Sequence, residues 1–219
     1  MNILTRIAAA TAVAMLPFAA GAATVNVVDE AVDETDVIAT AEMHIGDRGG
    51  SAVTELKVDE RLTPGIDDET NFAWVNDVDY QFSVAYSLGT LSLTIGQTIV
   101  SSAIDLVGAD AIYVTVRGNA GGTMTLSDLA FNGLAFSDPT AVGTNGNREW
   151  LALKGIDAAS DWLLTGAVTF SGVPLTRQNS RWNATVKIAD TPSPIPLPAP
   201  AFLLLAGLGG LAAMKRRTG

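Results

Sequence analysis

His44 is the only histidine among 219 residues, and the chain has no cysteine. Those two counts remove most nucleophilic and soft-metal chemistry. A Ser-His-Asp triad would have to use His44, with Ser51 or Ser83 as nucleophile, but no Gly-x-Ser-x-Gly elbow is present. Zinc sites draw on several His or Cys ligands, and thiol catalysis is excluded outright. Carboxylates remain: Asp67-Asp68-Glu69, Asp77-Val-Asp79, and Asp157 with Asp161. A glycosidase needs two of them about 5 to 10 Å apart across a cleft, which sequence spacing alone does not supply. Calcium suits them better, because oxygen-only ligation at a loop rim is its chemistry. Asp77 and Asp79 would project to one side of an extended chain. With Asp67, Asp68 and Glu69 they form the candidate calcium set. Against this stands the plain reading of a solvated acidic surface.

Four tryptophans offer faces for stacking on sugars. Trp162 and Trp182 continue alternating apolar runs and read as core; Trp74 and Trp150 flank polar loops and are the candidates for an exposed glycan contact. Asn183-Ala-Thr185 matches a glycosylation sequon inside a predicted strand and reads as chance.

The elements that must position these groups read as strands. Phe82, Val84, Tyr86 and Leu88 share one face, and Gly89-Thr90 reverses the chain into Leu91, Leu93 and Ile95. Ile112, Val114 and Val116 oppose Tyr113, Thr115 and Arg117. Trp162, Leu164, Gly166, Val168 and Phe170 make a long alternating strand. Trp182, Ala184, Val186 and Ile188 make the last, with Arg181, Asn183, Thr185 and Lys187 on the wet side. Asn132-Gly133 is a tight-hairpin signal and Gly96-Gln97 suits a turn with glycine first. Gly118–Gly122 and Gly143–Gly146 read as loops. Residues 41–45 and 52–58 read as more polar strands, Asp29 to Asp36 as a solvated loop with five carboxylates, and Ile156 to Ser160 as one helical turn. The expected fold is all-β, an antiparallel β-sandwich or jelly roll with a concanavalin-like variant included, plus an N-terminal signal helix and a C-terminal apolar helix.

The ends of the chain carry addresses rather than chemistry. Arg6, the apolar run Ile7 to Ala20 and Ala20-Gly21-Ala22 read as a secretory signal peptide over residues 1–22. The sandwich then occupies 23–190, a Pro-rich linker 191–200, an apolar helix 201–214 and a basic tail 215–219. That helix would rise only about 21 Å, against a hydrocarbon core of ~30 Å. Lys215, Arg216 and Arg217 favour the cytoplasmic side. The body holds all 23 acidic residues against nine basic ones, a formal −14, which repels nucleic acid and anionic lipid.

Ile195-Pro196-Leu197-Pro198-Ala199, followed by the apolar segment and basic stop, resembles the PEP-CTERM class of bacterial sorting signals, in its Val-Pro-Leu-Pro-Ala subgroup. The resemblance implies an exported protein of a Gram-negative envelope and processing by an exosortase, a membrane cysteine transpeptidase. It also implies a precursor held in the inner membrane by its C-terminal helix before delivery to the cell envelope, outer surface or extracellular matrix. The body, through Phe72-Ala-Trp74, Tyr80-Gln-Phe82, Leu91 to Gly96, Leu126 to Leu134, Trp162 to Gly166 and Asn179-Ser-Arg181, is similar to the W type of choice-of-anchor ectodomains. That family brings no established activity to carry over to this chain. The leading expectation is therefore a sorted, non-enzymatic surface protein without a required cofactor. The alternatives are a calcium-assisted carbohydrate-binding or adhesin module with an extracellular polysaccharide partner, and a glycoside hydrolase or lyase.

Overall fold

Strand after strand sets apolar residues on one side and hydroxyl or charged residues on the other, so each sheet has one face to bury. The computed structural model describes residues 24–45, 54–61, 67–118, 122–144, 146–172 and 182–191. The expected signal peptide 1–22, the 192–200 part of the expected linker with its motif resembling a sorting signal, the expected apolar helix 201–214, the basic residues 215–217 and Asn179-Ser-Arg181 lie outside the described residues.

Fourteen strands are described: β1 Thr24–Val25, β2 Val37–Ile45, β3 Thr54–Glu60, β4 Asp67–Asn71, β5 Tyr80–Ser87, β6 Thr90–Ile95, β7 Thr98–Ala103, β8 Ala111–Arg117, β9 Gly122–Phe131, β10 Leu134–Phe136, β11 Ala141–Thr144, β12 Arg148–Lys154, β13 Trp162–Gly172 and β14 Trp182–Ala189. One sheet runs β1-β10-β9-β13-β5-β6-β7, with β11 also paired to β9; the other runs β12-β8-β14-β2-β3-β4. All pairings are antiparallel except the short β1–β10 contact. The chain is an all-β sandwich.

The inner faces meet in one core. Phe82, Val84, Leu91, Leu93, Met124, Leu126, Leu164 and Phe170 from the first sheet pack against Met43, Leu56, Val58, Ile112, Val114, Val186 and Ile188 from the second. At one end Trp74 sits 4.5 Å from Phe72, 5.1 Å from Tyr80 and 4.7 Å from Phe170 between ring centroids, and Phe170 stacks on Trp182.

Turn chemistry follows the expected residues in two places. Asn132 and Gly133 both have positive φ, 50° and 78°, the type I′ geometry that matches strand twist. Gly96, at φ 60°, opens the β6–β7 turn. Elsewhere the structure corrects the reading. The β5–β6 turn is Leu88-Gly89 rather than Gly89-Thr90, both at positive φ, and Leu88 is 94% exposed instead of continuing the Phe82 face. Asp161 holds it there, accepting from the Leu88 N–H at 3.2 Å and the Ser87 hydroxyl at 3.1 Å. Gly143 lies in β11, not a loop. A Cβ on Gly143 would stand 2.4 Å from the Gly118 nitrogen, and one on Gly118 would stand 2.0 Å from the Gly143 carbonyl oxygen. Glycine at both positions lets the two backbones touch. Residues 157–160 form a turn closed by Ser160 N–H to Asp157 O, not a helical turn.

Candidate functional site: a charged trough on the six-stranded sheet

Lys57, Arg61, Arg117, Arg148, Lys154 and Lys187 are the six Lys and Arg residues among those described. All belong to the six-stranded sheet or its immediate edge. Alternation decides their face: Leu56 and Val58, Val114 and Val116, Leu151 and Leu153, and Val186 and Ile188 fill the core, so the residues between them face outward. The opposite sheet presents uncharged residues instead: Ala130, Thr165, Ser83, Thr94 and Ile99 in one register row and Thr169, Thr125 and Val142 in another.

Cross-strand register arranges the charged face in rows. One row runs Arg148, Arg117, Asn183, His44, Glu55. The next runs Trp150, Thr115, Thr185, Glu42, Lys57, and a third runs Ala152, Tyr113, Lys187, Thr40, Asp59. Most of these side chains, together with Glu34 and Arg61, line a trough of about 620 Å³. Five strands at ~4.8 Å spacing make it about 19 Å long.

Against the trough lies a segment that the sequence reading left in solvent. Asp29 to Asp36 is not a free loop. Val28 bridges to Ala152, and Val32 is buried against Val37, Ala111, Tyr113, Ala152 and Ala189, with Trp150 packed alongside. Glu30 pairs with Lys154. Glu34 is the hub: it accepts from Lys187 Nζ, accepts from Arg61 Nη1 at 2.6 Å, and lies 4.0 Å from Arg148 Nη1. Burial opposes the charged form of Glu34, but hydrogen bonds and attraction from Lys187 and Arg61 outweigh it and hold its pKa below the ordinary value. Lys187, with only 7% of its side chain exposed, also stands 5.4 Å from the Trp150 ring centroid, and Arg148 stands 5.2 Å from it.

Comparison with protein-family models and with curated proteins returns no match to this chain. The site must therefore be read from its own chemistry. Its carboxylates accept and its guanidinium, ammonium and amide groups donate, often side by side. His44 Nδ1 is 3.5 Å from Glu55 Oε1, and Lys57 Nζ is 3.7 Å from Asp59 Oδ2. The trough floor adds the buried hydroxyls of Thr40 and Thr185. Beside them, Thr115 Oγ1 is buried with no hydrogen-bond partner among the described residues.

The structure does not bring the candidate calcium residues together. Asp68 and Glu69 are neighbours in β4 and so face opposite ways. Asp68 accepts from the Ser101 N–H at 2.8 Å, tying the β4 edge of one sheet to the β7 edge of the other. Glu69 stands beside Lys57 in register, and Asp67 aligns with Asp59. Asp77 sits at φ 59° and donates its N–H to the Phe170 carbonyl, so Asp77 and Asp79 are not an extended i, i+2 pair. Asp79 instead accepts from the Thr169 hydroxyl. Among the described residues no three His, Asp or Glu side chains converge as a metal site would need.

Trp74 is likewise corrected: at 7% exposed it belongs to the aromatic core, not to a sugar-facing surface. Trp150, expected beside a polar loop as an exposed ring, lies within β12, half-buried against the outer apolar cluster and backing two cations. Sequence reasoning missed Glu34, Glu42, Lys57, Asp59 and Arg61. The alternation Glu55, Lys57, Asp59 was available as a signal, but the facing strands that turn it into a trough were not.

Proposed function

We propose that this is an exported envelope protein, sorted and processed at its C-terminal signal, whose sandwich is a non-enzymatic module binding a neutral polyhydroxylated chain in the trough of the six-stranded sheet. The trough carries this reading. Sugar hydroxyls both donate and accept, and the trough offers both kinds of partner along about 19 Å of sheet. Its four Lys and Arg balance its four Glu and Asp, so it attracts no polyanion, and the −14 body repels one.

Binding is favoured over hydrolysis because the trough carboxylates stand beside basic groups: Glu34 beside Lys187 and Arg61, Asp59 beside Lys57, Glu55 beside His44. That arrangement suits gripping hydroxyls through charge-assisted hydrogen bonds. A glycosidase needs one carboxyl set apart to keep a proton for the leaving group. The sorting half of the proposal is supported by the Ile195 to Ala199 motif, the short apolar segment and Lys215, Arg216 and Arg217 in order. Exosortase is the expected processing partner, and the mature domain resides in the envelope or matrix.

A glycan array of neutral and acidic oligosaccharides, probed with the wild type and with a Glu42→Ala/Asn183→Ala double variant, tests the binding half. Binding of neutral chains by the wild type and its loss in the variant is expected; no neutral glycan bound would remove the reading. Deleting residues 195–219 should change fractionation in the producing bacterium, and an unchanged location and mature mass would refute sorting.

A further inference from the structure

We infer that Glu34 fills a carboxylate subsite beside Lys187 in the trough and so excludes acidic sugars from it. This deepens the glycan-binding reading and rests on it. Cations from separate elements converge on one carboxylate: Lys187 from β14 and Arg61 from the end of β3, with Arg148 of β12 at 4.0 Å. The sheet supplies these cations, but the carboxylate comes from a strap lying across it. A uronate carboxylate asks for the same donors in the same arrangement. With Glu34 in place, an incoming uronate meets an occupied subsite and a like charge, which is how specificity is enforced by repulsion. With Glu34 neutral or absent, Lys187 and Arg61 would face the trough beside the hydroxyls of Thr40 and Thr185 and the amide of Asn183.

The strap does not depend on Glu34 alone. Val32 is buried in the outer apolar cluster, Val28 bridges Ala152, and the Asp36 carbonyl accepts from the Asp190 N–H at 3.1 Å. Neutralising Glu34 therefore leaves the strap seated.

The test is calorimetric titration of the wild type, Glu34→Gln and Glu34→Ala with two probes, an oligogalacturonate and a neutral gluco-oligosaccharide, in the full chain. Both variants should gain at least about tenfold in affinity for oligogalacturonate, ~1.4 kcal/mol, while affinity for the neutral chain falls because one gripping carboxylate is lost. Adding Lys187→Met to either variant should abolish the gain. Glu34→Gln keeps the shape of the strap, so failure of Glu34→Ala to fold leaves the test standing; loss of folding in both makes Glu34 purely structural and overturns the inference. So does a natively folded pair of variants without the gain, or a wild type that binds both probes equally. If the wild type binds no neutral chain yet the variants acquire oligogalacturonate, the neutral-glycan reading fails and the subsite stands.

Discussion

Glu34 and Lys187 meet across 153 residues of sequence, the carboxylate on a strap without regular strand structure and the ammonium in the third row, on β14. Breaking the pair from either side should not cost the same. Lys187 is nearly buried while Glu34 is about half exposed. Glu34→Ala leaves a nearly buried ammonium without its carboxylate, whereas Lys187→Met leaves a carboxylate that still reaches Arg61 and water. Glu34→Ala should therefore destabilise by about 2–4 kcal/mol and Lys187→Met by about 1–2 kcal/mol. Urea unfolding of both single variants and the double variant reads this directly; equal costs would show that burial of the ammonium does not control the pair.

The same pair gives stability a pH dependence. The folded pKa of Glu34 lies below its ordinary 4.5. Its contribution is fully present above that ordinary value and is lost as pH falls through the lowered folded value. Melting temperatures of wild type and Glu34→Gln should converge as pH drops from about 6 to about 3. Parallel curves would mean that Glu34 contributes no such linkage.

Gly118 and Gly143 should tolerate no side chain. An added Cβ meets backbone at 2.0 Å or 2.4 Å, and backbone cannot rotate away. Either Gly→Ala change should cost about 1–3 kcal/mol or more by overpacking. Gly96→Ala meets open space but a positive φ, so about 1 kcal/mol is expected. Thermal unfolding of the three variants orders them; Gly96→Ala as the worst would contradict the close approach.

Trp74 and Trp150 should separate by what they disturb. Trp74→Ala removes a core ring and should cost about 3–5 kcal/mol while leaving trough binding unchanged in the folded fraction. Trp150→Ala should cost less and weaken glycan binding, because Arg148 and Lys187 lose the ring that backs them. Denaturation paired with glycan titration distinguishes the two, and an unstable Trp150→Ala with intact binding would reverse the assignment.

The strand faces were legible because burial imposes a period of two on the residues themselves. Ile112, Val114 and Val116 against Tyr113, Thr115 and Arg117 read the same way in sequence and in space. Tight turns were legible where Asn132-Gly133 requires positive φ. Leu88-Gly89 was not, because a leucine at positive φ contradicts local preference and is held by Asp161, 73 residues away. Thr185 and Lys187 were correctly placed on the outer face, yet both are buried there. Glu34 of the acidic strap is the partner of Lys187 there, and composition made that strap look solvated.

From the order of residues alone came the all-β class and the sheet faces, since both are written in local periodicity. Folding settled which strands neighbour one another, and with it the trough. Register is a relation between distant segments, so it placed Glu42 beside Lys57 and His44 beside Glu55. It also scattered the carboxylates that adjacency in sequence had suggested would share an ion. Charges on one chain become a site only when the sheet sets them about 5 Å apart.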